Sequence, residues 1–417
     1  MRLLEQFKYA VRYGSGKAYQ ILASHPELPV DDFLVESALH NYDLDPQCSG
    51  HRALYMDELL ELRPNYRKLL NQIAQRFKND EKLSQWDAVQ VYELLCGNSA
   101  PTKNMLRLIH ERFTRKFTDE SGFGFDSISD NEGKDGVLFI ARTIGHKLLN
   151  DPDYWLDDWI PAHWSEAGYD FDWRKYLEQH LAEPEISAFL HACNEIAQSQ
   201  KSPRKPFSVP NRTWLDQMLR NGIYQRIIRL QLSREDIAQI RLQFQTEDNP
   251  ERLKILCRAL TVTRSIDSEM VDKLCALCLS QDATLRELTL DALCLLSDCR
   301  VRKLAENNLQ KNPAAWEYLA LLVSSWQNTD ERFVRPLFRK YHCPHIRHGI
   351  IMTLLEGKNL SQEMLIFLYR HCLCGHCRVD LIEMLSEQYG ISPELASELA
   401  YESQLEIREL INSEAKP

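Results

Sequence analysis

Apolar residues in the last part of the chain recur at a nearly constant distance. Six of them follow short polar or proline turns and lie about 31 positions apart: Leu253, Leu285, Trp316, Ile346, Cys377 and Ile407. A period of roughly 20–50 residues is typical of repeat proteins, because one repeat alone cannot bury its apolar face and has to stack on its neighbours. The pattern therefore predicts a stacked repeat architecture in the C-terminal half.

Helix-start signals follow the same spacing. Ser361 and Ser392 each stand two positions before a glutamate, and Asp330 precedes Ser361 by the same interval that separates the two serines. Such side chains accept hydrogen bonds from the first amides of a helix and are typical N-caps. Each repeat should therefore contain a first helix, a short turn and a second helix with the apolar anchor. We predict an all-α fold, an α-solenoid of stacked antiparallel helix pairs with repeats of about 31 residues.

The residue after the anchor is basic in most repeats, and a turn residue precedes it. The segments concerned are Asn249-Pro250…Leu253-Lys254, Asp282…Leu285-Arg286, Cys343-Pro344…Ile346-Arg347 and Gln404…Ile407-Arg408. This pattern resembles the HEAT/armadillo-type α-solenoid superfamily and covers residues 233–412. The resemblance implies a curved rod whose second helices line one face and bind a partner. Glu317 departs from the pattern, since it stands where the other repeats carry a basic residue.

The N-terminal half has helical spacing but no clean period, as expected for atypical helical hairpins at the end of a repeat array. We assign residues 1–197 to an irregular helical-hairpin half and residues 213–417 to the repeat half. Residues 198–212 are basic and proline-rich, which predicts a linker, or a segment that bridges two packed halves of one solenoid.

Composition narrows the cellular setting. The twelve cysteines lie mostly at apolar helical positions such as Cys96, Cys193, Cys257 and Cys294. Free cysteine packs there as a small hydrophobe, which favours a reducing cytoplasm. The first residues carry charges where a signal peptide would need an apolar core, and no uncharged apolar stretch is long enough to span a membrane.

The net charge of −10 argues against a general nucleic-acid binder, whose affinity depends on clustered Lys and Arg. A chain of this acidity more often meets other proteins, although a local basic groove is compatible with it. We therefore expect a protein partner, and a nucleic-acid partner only as the alternative.

The segment from Gly14 to Lys17 reads Gly-Ser-Gly-Lys, which is similar to part of a phosphate-binding loop. A complete loop needs a further glycine upstream, where this chain has Val11, and Ser or Thr after the lysine, where it has Ala18. The flanking residues also have helical spacing. A turn between two helices is therefore the prediction.

Tryptophans and acids alternate between Asp151 and Trp173. The candidate partner-binding residues are Trp155, Asp157, Asp158, Trp159 and Trp164. Tryptophan is enriched in binding hot spots, and carboxylates between the rings suit a cationic partner segment or a ligand cation. The alternative is that the rings pack in the core while the acids cap helices.

Histidines and cysteines cluster between residues 342 and 377. Short spacings of this kind occur in zinc sites, and Cys343, His345, Cys374 and His376 would be the ligands. The repeat register, however, places the two pairs on adjacent repeats roughly 8–10 Å apart, which is wide for one metal ion. We therefore expect no metal and no cofactor, and a structural role for the cluster.

The basic residues that follow the anchors form a column: Lys254, Arg286, Arg347, Arg378 and Arg408. In repeat proteins this position usually pairs with a turn carboxylate, which is a structural role. Arg286, Arg347 and Arg378 are also candidate partner-binding residues, since guanidinium groups exposed on a lining helix would hold an acidic peptide or phosphates.

Three functions remain after these observations. The first is a non-catalytic helical-repeat scaffold or adaptor that binds another protein. The second is a nucleic-acid-binding repeat protein similar to the helical-repeat DNA glycosylases. The third is a metal-dependent enzyme, but no nucleophile and base stand at a recognised catalytic spacing in this sequence.

Overall fold

The computed structural model describes residues 2–42, 51–79, 82–96, 103–115, 125–151, 154, 156–199 and 233–414. Every regular element in these residues is helical, which confirms the all-α prediction. Within these same residues, no helix is both long enough and apolar enough to cross a bilayer.

The chain forms two compact units that do not follow a single cut along the sequence. The first unit comprises Met1–Arg204, Cys374–Val379 and Ile391–Pro417, and the second comprises Lys205–Leu373 and Asp380–Gly390. The predicted linker, residues 198–212, lies almost entirely outside the described residues. The first unit therefore unites the N-terminal half with the last helices of the chain, a grouping that the repeat period does not reveal.

Twelve described helices form the N-terminal part of the first unit. They are α1 (Leu3–Arg12), α2 (Lys17–Ser24), α3 (Asp31–Leu39), α4 (Arg52–Glu61), α5 (Tyr66–Asn79), α6 (Gln85–Cys96), α7 (Lys103–Arg115), α8 (Phe125–Glu132), α9 (Lys134–Asn150), α10 (Trp159–Glu166), α11 (Trp173–Glu178) and α12 (Pro184–Ser199).

These helices pack in two rows. In the first row α2 contacts α4, α4 contacts α6, and α6 contacts α8. In the second row α3 contacts α5, α5 contacts α7, and α9 contacts α12. The ring of His110 on α7 stacks on Phe139 of α9 with centroids 4.0 Å apart. This contact connects α7 to α9 within the second row.

The second unit contains α13 (Arg234–Thr246) and, after it, helices of 7 to 14 residues. They are α14 (Pro250–Thr263), α15 (Val271–Leu277), α16 (Ala283–Cys294), α17 (Cys299–Lys311), α18 (Val334–Lys340), α19 (Pro344–Gly357) and α20 (Gln362–His371). Three 3₁₀ helices, Trp316–Tyr318, Ala320–Ser325 and Asn328–Phe333, stand between α17 and α18. The chain ends with α21 (Gly375–Tyr389), α22 (Pro393–Leu399) and α23 (Leu405–Glu414).

Local capping explains why the helices start where they do. Ser233 forms a capping box with Asp236, and Asn249 accepts from the amides of residues 251 and 252 ahead of Pro250. The predicted caps Ser361 and Ser392 accept from the third amide of α20 and α22. Because these bonds satisfy otherwise unpaired amide groups, each helix begins at a defined residue.

Five of the six anchors lie within the first four residues of an α-helix, but the anchors are not equally buried. Leu253, Leu285, Cys377 and Ile407 are at most 3% exposed, whereas Trp316 and Ile346 are half-buried. Trp316 opens a 3₁₀ helix, which is wound more tightly than the α-helices that carry the other anchors. The anchors therefore contribute to the core to different degrees.

A cluster of buried charge joins the two ends of the chain within the first unit. We call it the closure cluster: Gly14, Gly16, Arg378, Glu402 and Ser403. The guanidinium of Arg378 lies 3.0 Å from the Glu402 carboxylate, with both side chains at most 2% exposed. Arg378 also donates to Ser403 Oγ at 3.1 Å, and the amide of Ser403 donates to the Gly14 carbonyl at 2.9 Å.

The glycines of this cluster leave room for the opposite chain end. A Cβ on Gly14 would lie 2.1 Å from Ser403 Oγ, and its φ of +69° also disfavours a side chain. A Cβ on Gly16 would lie 1.8 Å from the carbonyl oxygen of Glu398. The Gly-Ser-Gly-Lys segment is thus a turn between α1 and α2, as predicted, and its glycines allow close packing.

Candidate functional site

The predicted tryptophan segment is partly core and partly surface. Trp164 is 2% exposed, and its ring contacts those of Trp173 and Phe189 at centroid distances of 5.3 and 5.6 Å. Trp159, at the start of α10, is half-buried, and Asp157 and Asp158 before it are exposed. Trp155 lies outside the described residues. A buried ring offers no surface to a partner, so the candidate contact narrows to Trp159 and the two acids.

Further groups extend this surface. Asp130 on α8 accepts from the Tyr169 hydroxyl at 2.7 Å and lies 3.0 Å from Nε2 of His163, one turn after Trp159. Burial and the neighbouring Asp130 carboxylate raise the pKa of Tyr169, so its hydroxyl stays protonated and donates. We call Asp130, Asp157, Asp158, Trp159 and Tyr169 the acidic aromatic surface. It combines negative charge with ring area.

The basic column has close contacts with the protein's own backbone. Arg286 donates to the Ser280 carbonyl at 2.9 Å and Arg347 to the Tyr341 carbonyl at 2.7 Å. Arg408 makes the same bond to Glu402, again six residues earlier. In each case the guanidinium holds the turn that precedes its helix. The acceptors are backbone carbonyls, whereas the structural role predicted from the sequence was an ion pair with a turn carboxylate.

The other two members of the column, Lys254 and Arg378, contact acidic side chains. Lys254 lies 2.8 Å from the Asp282 carboxylate of the following turn, and Arg378 pairs with Glu402 in the closure cluster. Arg378 is 1% exposed, so it presents no surface to a ligand. Partner binding by Arg286 and Arg347 stays a prediction.

The four candidate metal ligands differ in exposure. Cys343 and His345, at the start of α19 in the second unit, are exposed. Cys374 is buried immediately before α21 in the first unit, and His376 on that helix is exposed. The expectation that these residues hold no metal ion therefore stays a prediction.

The arrangement most similar to a catalytic site lies between α6, α7 and α8. His110 Nε2 lies 3.0 Å from the Glu132 carboxylate, which also accepts from the Tyr92 hydroxyl at 3.2 Å. Burial and the charge of Glu132 raise the pKa of the nearby Cys96 thiol to about 12. A thiol that stays protonated at neutral pH is a poor nucleophile, so the geometry fits structural hydrogen bonding better than catalysis.

Charge is distributed unevenly between the two rows of the first unit. Helices α4, α6 and α8 of the first row carry eight acidic residues and one basic residue. Helices α5 and α7 of the second row carry eight basic residues and one acidic residue. The net charge of −10 for the whole chain therefore conceals a basic region on α5 and α7, because acidic helices elsewhere outweigh it in the sum.

Six cations of α5 and α7 are exposed, and we call them the basic strip: Arg67, Lys68, Arg76, Lys103, Arg107 and Arg115. Their single acidic neighbour on these helices, Glu111, lies 2.5 Å from Arg107 and 2.9 Å from Lys78. These ion pairs lower the pKa of Glu111, so it stays charged and shared between the two cations.

Shallow grooves run along the second row. One of about 660 Å³ is lined by α7, including Lys103, Arg107 and Arg115. Another of about 670 Å³ lies between α3 and α5 and is lined by Asp32, Val35, Lys68, Asn71, Gln72, Gln75 and Arg76. The strip therefore borders concave surface on both helices.

The basic strip was not among the predicted sites, although the sequence contains a signal for it. Counting charge helix by helix would have found it, because α5 has four basic residues and no acid. Comparisons with known proteins add no guidance: no family model, no curated protein and no solved structure matches this chain.

Proposed function

We propose that this protein is a non-catalytic helical-repeat scaffold that binds another protein. The observation that carries the proposal is the acidic aromatic surface, where the half-buried Trp159 stands beside the exposed Asp157 and Asp158. A ring held in place by its helix presents contact area at little entropic cost, and the acids would attract a cationic segment of the partner.

The stacking of helix pairs with a period of about 31 residues is part of this proposal. It is supported by the anchors, five of which lie within the first four residues of an α-helix, and by the arginine-to-carbonyl bonds that recur at Arg286, Arg347 and Arg408. We further propose a reducing cytoplasm as its setting, since Cys193, Cys257 and Cys278 pack as buried free thiols.

The test uses the full chain and a fluorescein-labelled peptide rich in Lys and Arg. Anisotropy should report binding that weakens as salt rises, because screening beyond roughly 8–10 Å reduces attraction between charges. The double variant Trp159→Ala, Asp158→Ala should bind at least about tenfold more weakly, as expected for loss of a hot spot.

Leu242→Ala with Asp248→Ala is the matched control, because it removes an exposed apolar side chain and an exposed acid from the second unit. The control should bind like the unaltered protein. If the Trp159 and Asp158 variant retains full affinity with an unchanged melting point, the acidic aromatic surface is not the contact. Partners captured from the native host would then be tested for binding to both variants.

A further inference from the structure

The basic strip combines exposed charge with neighbouring exposed side chains that are all polar, and the apolar Leu106 in its groove is half-buried. On α5 the exposed side chains are Arg67, Lys68, Asn71, Gln72, Gln75, Arg76 and Asn79, and on α7 they are Lys103, Arg107, Glu111, Thr114 and Arg115. All of them are polar. The two helices pack against each other, and Lys78 on α5 reaches Glu111 on α7, so the exposed groups form one surface.

Three of the cations stand at positions that weaken their own helices. Arg67 and Lys68 lie in the first turn of α5, Lys103 is the first residue of α7, and neither helix has an acid in that turn. The helix dipole places partial positive charge at this end, so a cation there is destabilising. By contrast, α3, α6, α8 and α9 all carry aspartate in their first turn.

The same three cations also form no ion pair with the described part of the chain. Among the residues that the structure describes, no carboxylate lies within 4.0 Å of Arg67, Lys68 or Lys103. Residues that reduce stability without an internal contact are typical of binding sites, where function opposes stability.

We propose that the basic strip binds the phosphate backbone of double-stranded nucleic acid. Phosphates are bound by Arg and Lys together with Asn, Gln and Thr, which is the composition of this surface. The attraction is electrostatic and needs no apolar core, whereas a protein partner would need apolar or aromatic anchors that these helices do not expose. Single strands are disfavoured for a related reason, since they stack their bases on exposed aromatic rings.

The binding is independent of base sequence, because the strip offers charge to the backbone and no element inserted into a groove of the duplex. The site is also distinct from the acidic aromatic surface, whose negative charge would repel phosphates. The two proposals can therefore fail separately.

The experiment measures anisotropy of a fluorescein-labelled, mixed-sequence DNA duplex titrated with the full chain at several salt concentrations. The duplex should bind, with affinity falling steeply between roughly 50 and 200 mM salt. The triple variant Arg67→Glu, Lys68→Glu, Lys103→Glu should bind on the order of 100-fold more weakly and reduce the salt slope by about three. Its melting temperature should not fall, since glutamates favour these helix starts.

The matched control reverses three exposed cations elsewhere: Lys17→Glu, Arg234→Glu and Lys303→Glu. It changes the net charge by the same amount, so a comparable loss of binding in the control would overturn the proposal as a nonspecific charge effect. Tighter binding of an unlabelled single strand in competition with the duplex, or binding of labelled polyglutamate without binding of the duplex, would also overturn it. The second outcome would assign the strip to an acidic protein.

Discussion

The single cation of the closure cluster, Arg378, and the cations of the basic strip have opposite environments within one compact unit. Arg378 is 1% exposed, pairs with Glu402 and holds the last helices against the first turn of the chain. Lys68 and Lys103 are exposed and stand where they weaken their helices. The residue type is similar, but burial decides the role: a buried cation supports the fold, and an unpaired exposed cation is available for a ligand.

The largest expected effect is at the closure cluster. Arg378→Met would leave the buried carboxylate of Glu402 without its partner, which should reduce the free energy of unfolding by about 3–5 kcal/mol. Urea denaturation monitored by circular dichroism would measure the loss. The double variant Arg378→Met, Glu402→Leu should recover much of it, because no uncompensated charge remains. A stability close to that of the unaltered protein in the single variant would show that the pair does not hold the chain ends.

A smaller loss is expected at the adjacent glycine turn. Gly16→Ala would place a methyl group 1.8 Å from a carbonyl oxygen, so the backbone must shift. Overpacking of this kind costs about 1–3 kcal/mol. Gly349→Ala is the control, since its Cβ would meet Trp316 at an ordinary 3.6 Å within a helix. Thermal melts should show a lower Tm for the first variant only. Equal Tm values for the two variants would mean that the turn accommodates the methyl group without strain.

At the basic strip the sign of the stability effect should reverse. Arg67→Glu, Lys68→Glu and Lys103→Glu should together raise the free energy of unfolding, by roughly 0.3–1 kcal/mol for each charge, because acids complement the helix dipole. Denaturation at low salt would measure the gain, which added salt should reduce. A clear loss of stability would contradict the expected difference between the cations of the basic strip and the buried cation of the closure cluster.

The smallest effect concerns His371 in the second unit. Burial, together with the nearby Arg347, Arg335 and Arg370, lowers its pKa below the usual 6.5. Below about pH 6.5 the unfolded chain therefore binds a proton that the folded chain does not, so stability falls as pH falls until the folded pKa is reached. His371→Gln should lack this part of the acid sensitivity. Parallel pH profiles of Tm for the two proteins would rule the contribution out.

Much of the local structure was predictable from sequence. The N-caps Ser361 and Ser392 and the turn at Gly14 to Lys17 depend on residues within a few positions, and each occurs as expected. The candidate sites were harder to predict. Trp159 and Trp164 lie one and a half turns apart on one helix, yet one is half-buried and the other is core. Their difference comes from Trp173 and Phe189, which only folding brings to the ring of Trp164.

The sequence by itself determined that the chain is helical and where many helices begin, because spacing and capping are local properties. It also contained the excess of basic residues in α5, which the net charge of −10 concealed. Only the tertiary structure decided which cations are buried and which are free to bind. Gly14 and Ser403 stand at opposite ends of the chain, and their contact and the burial of Arg378 depend on packing between segments that no local pattern relates.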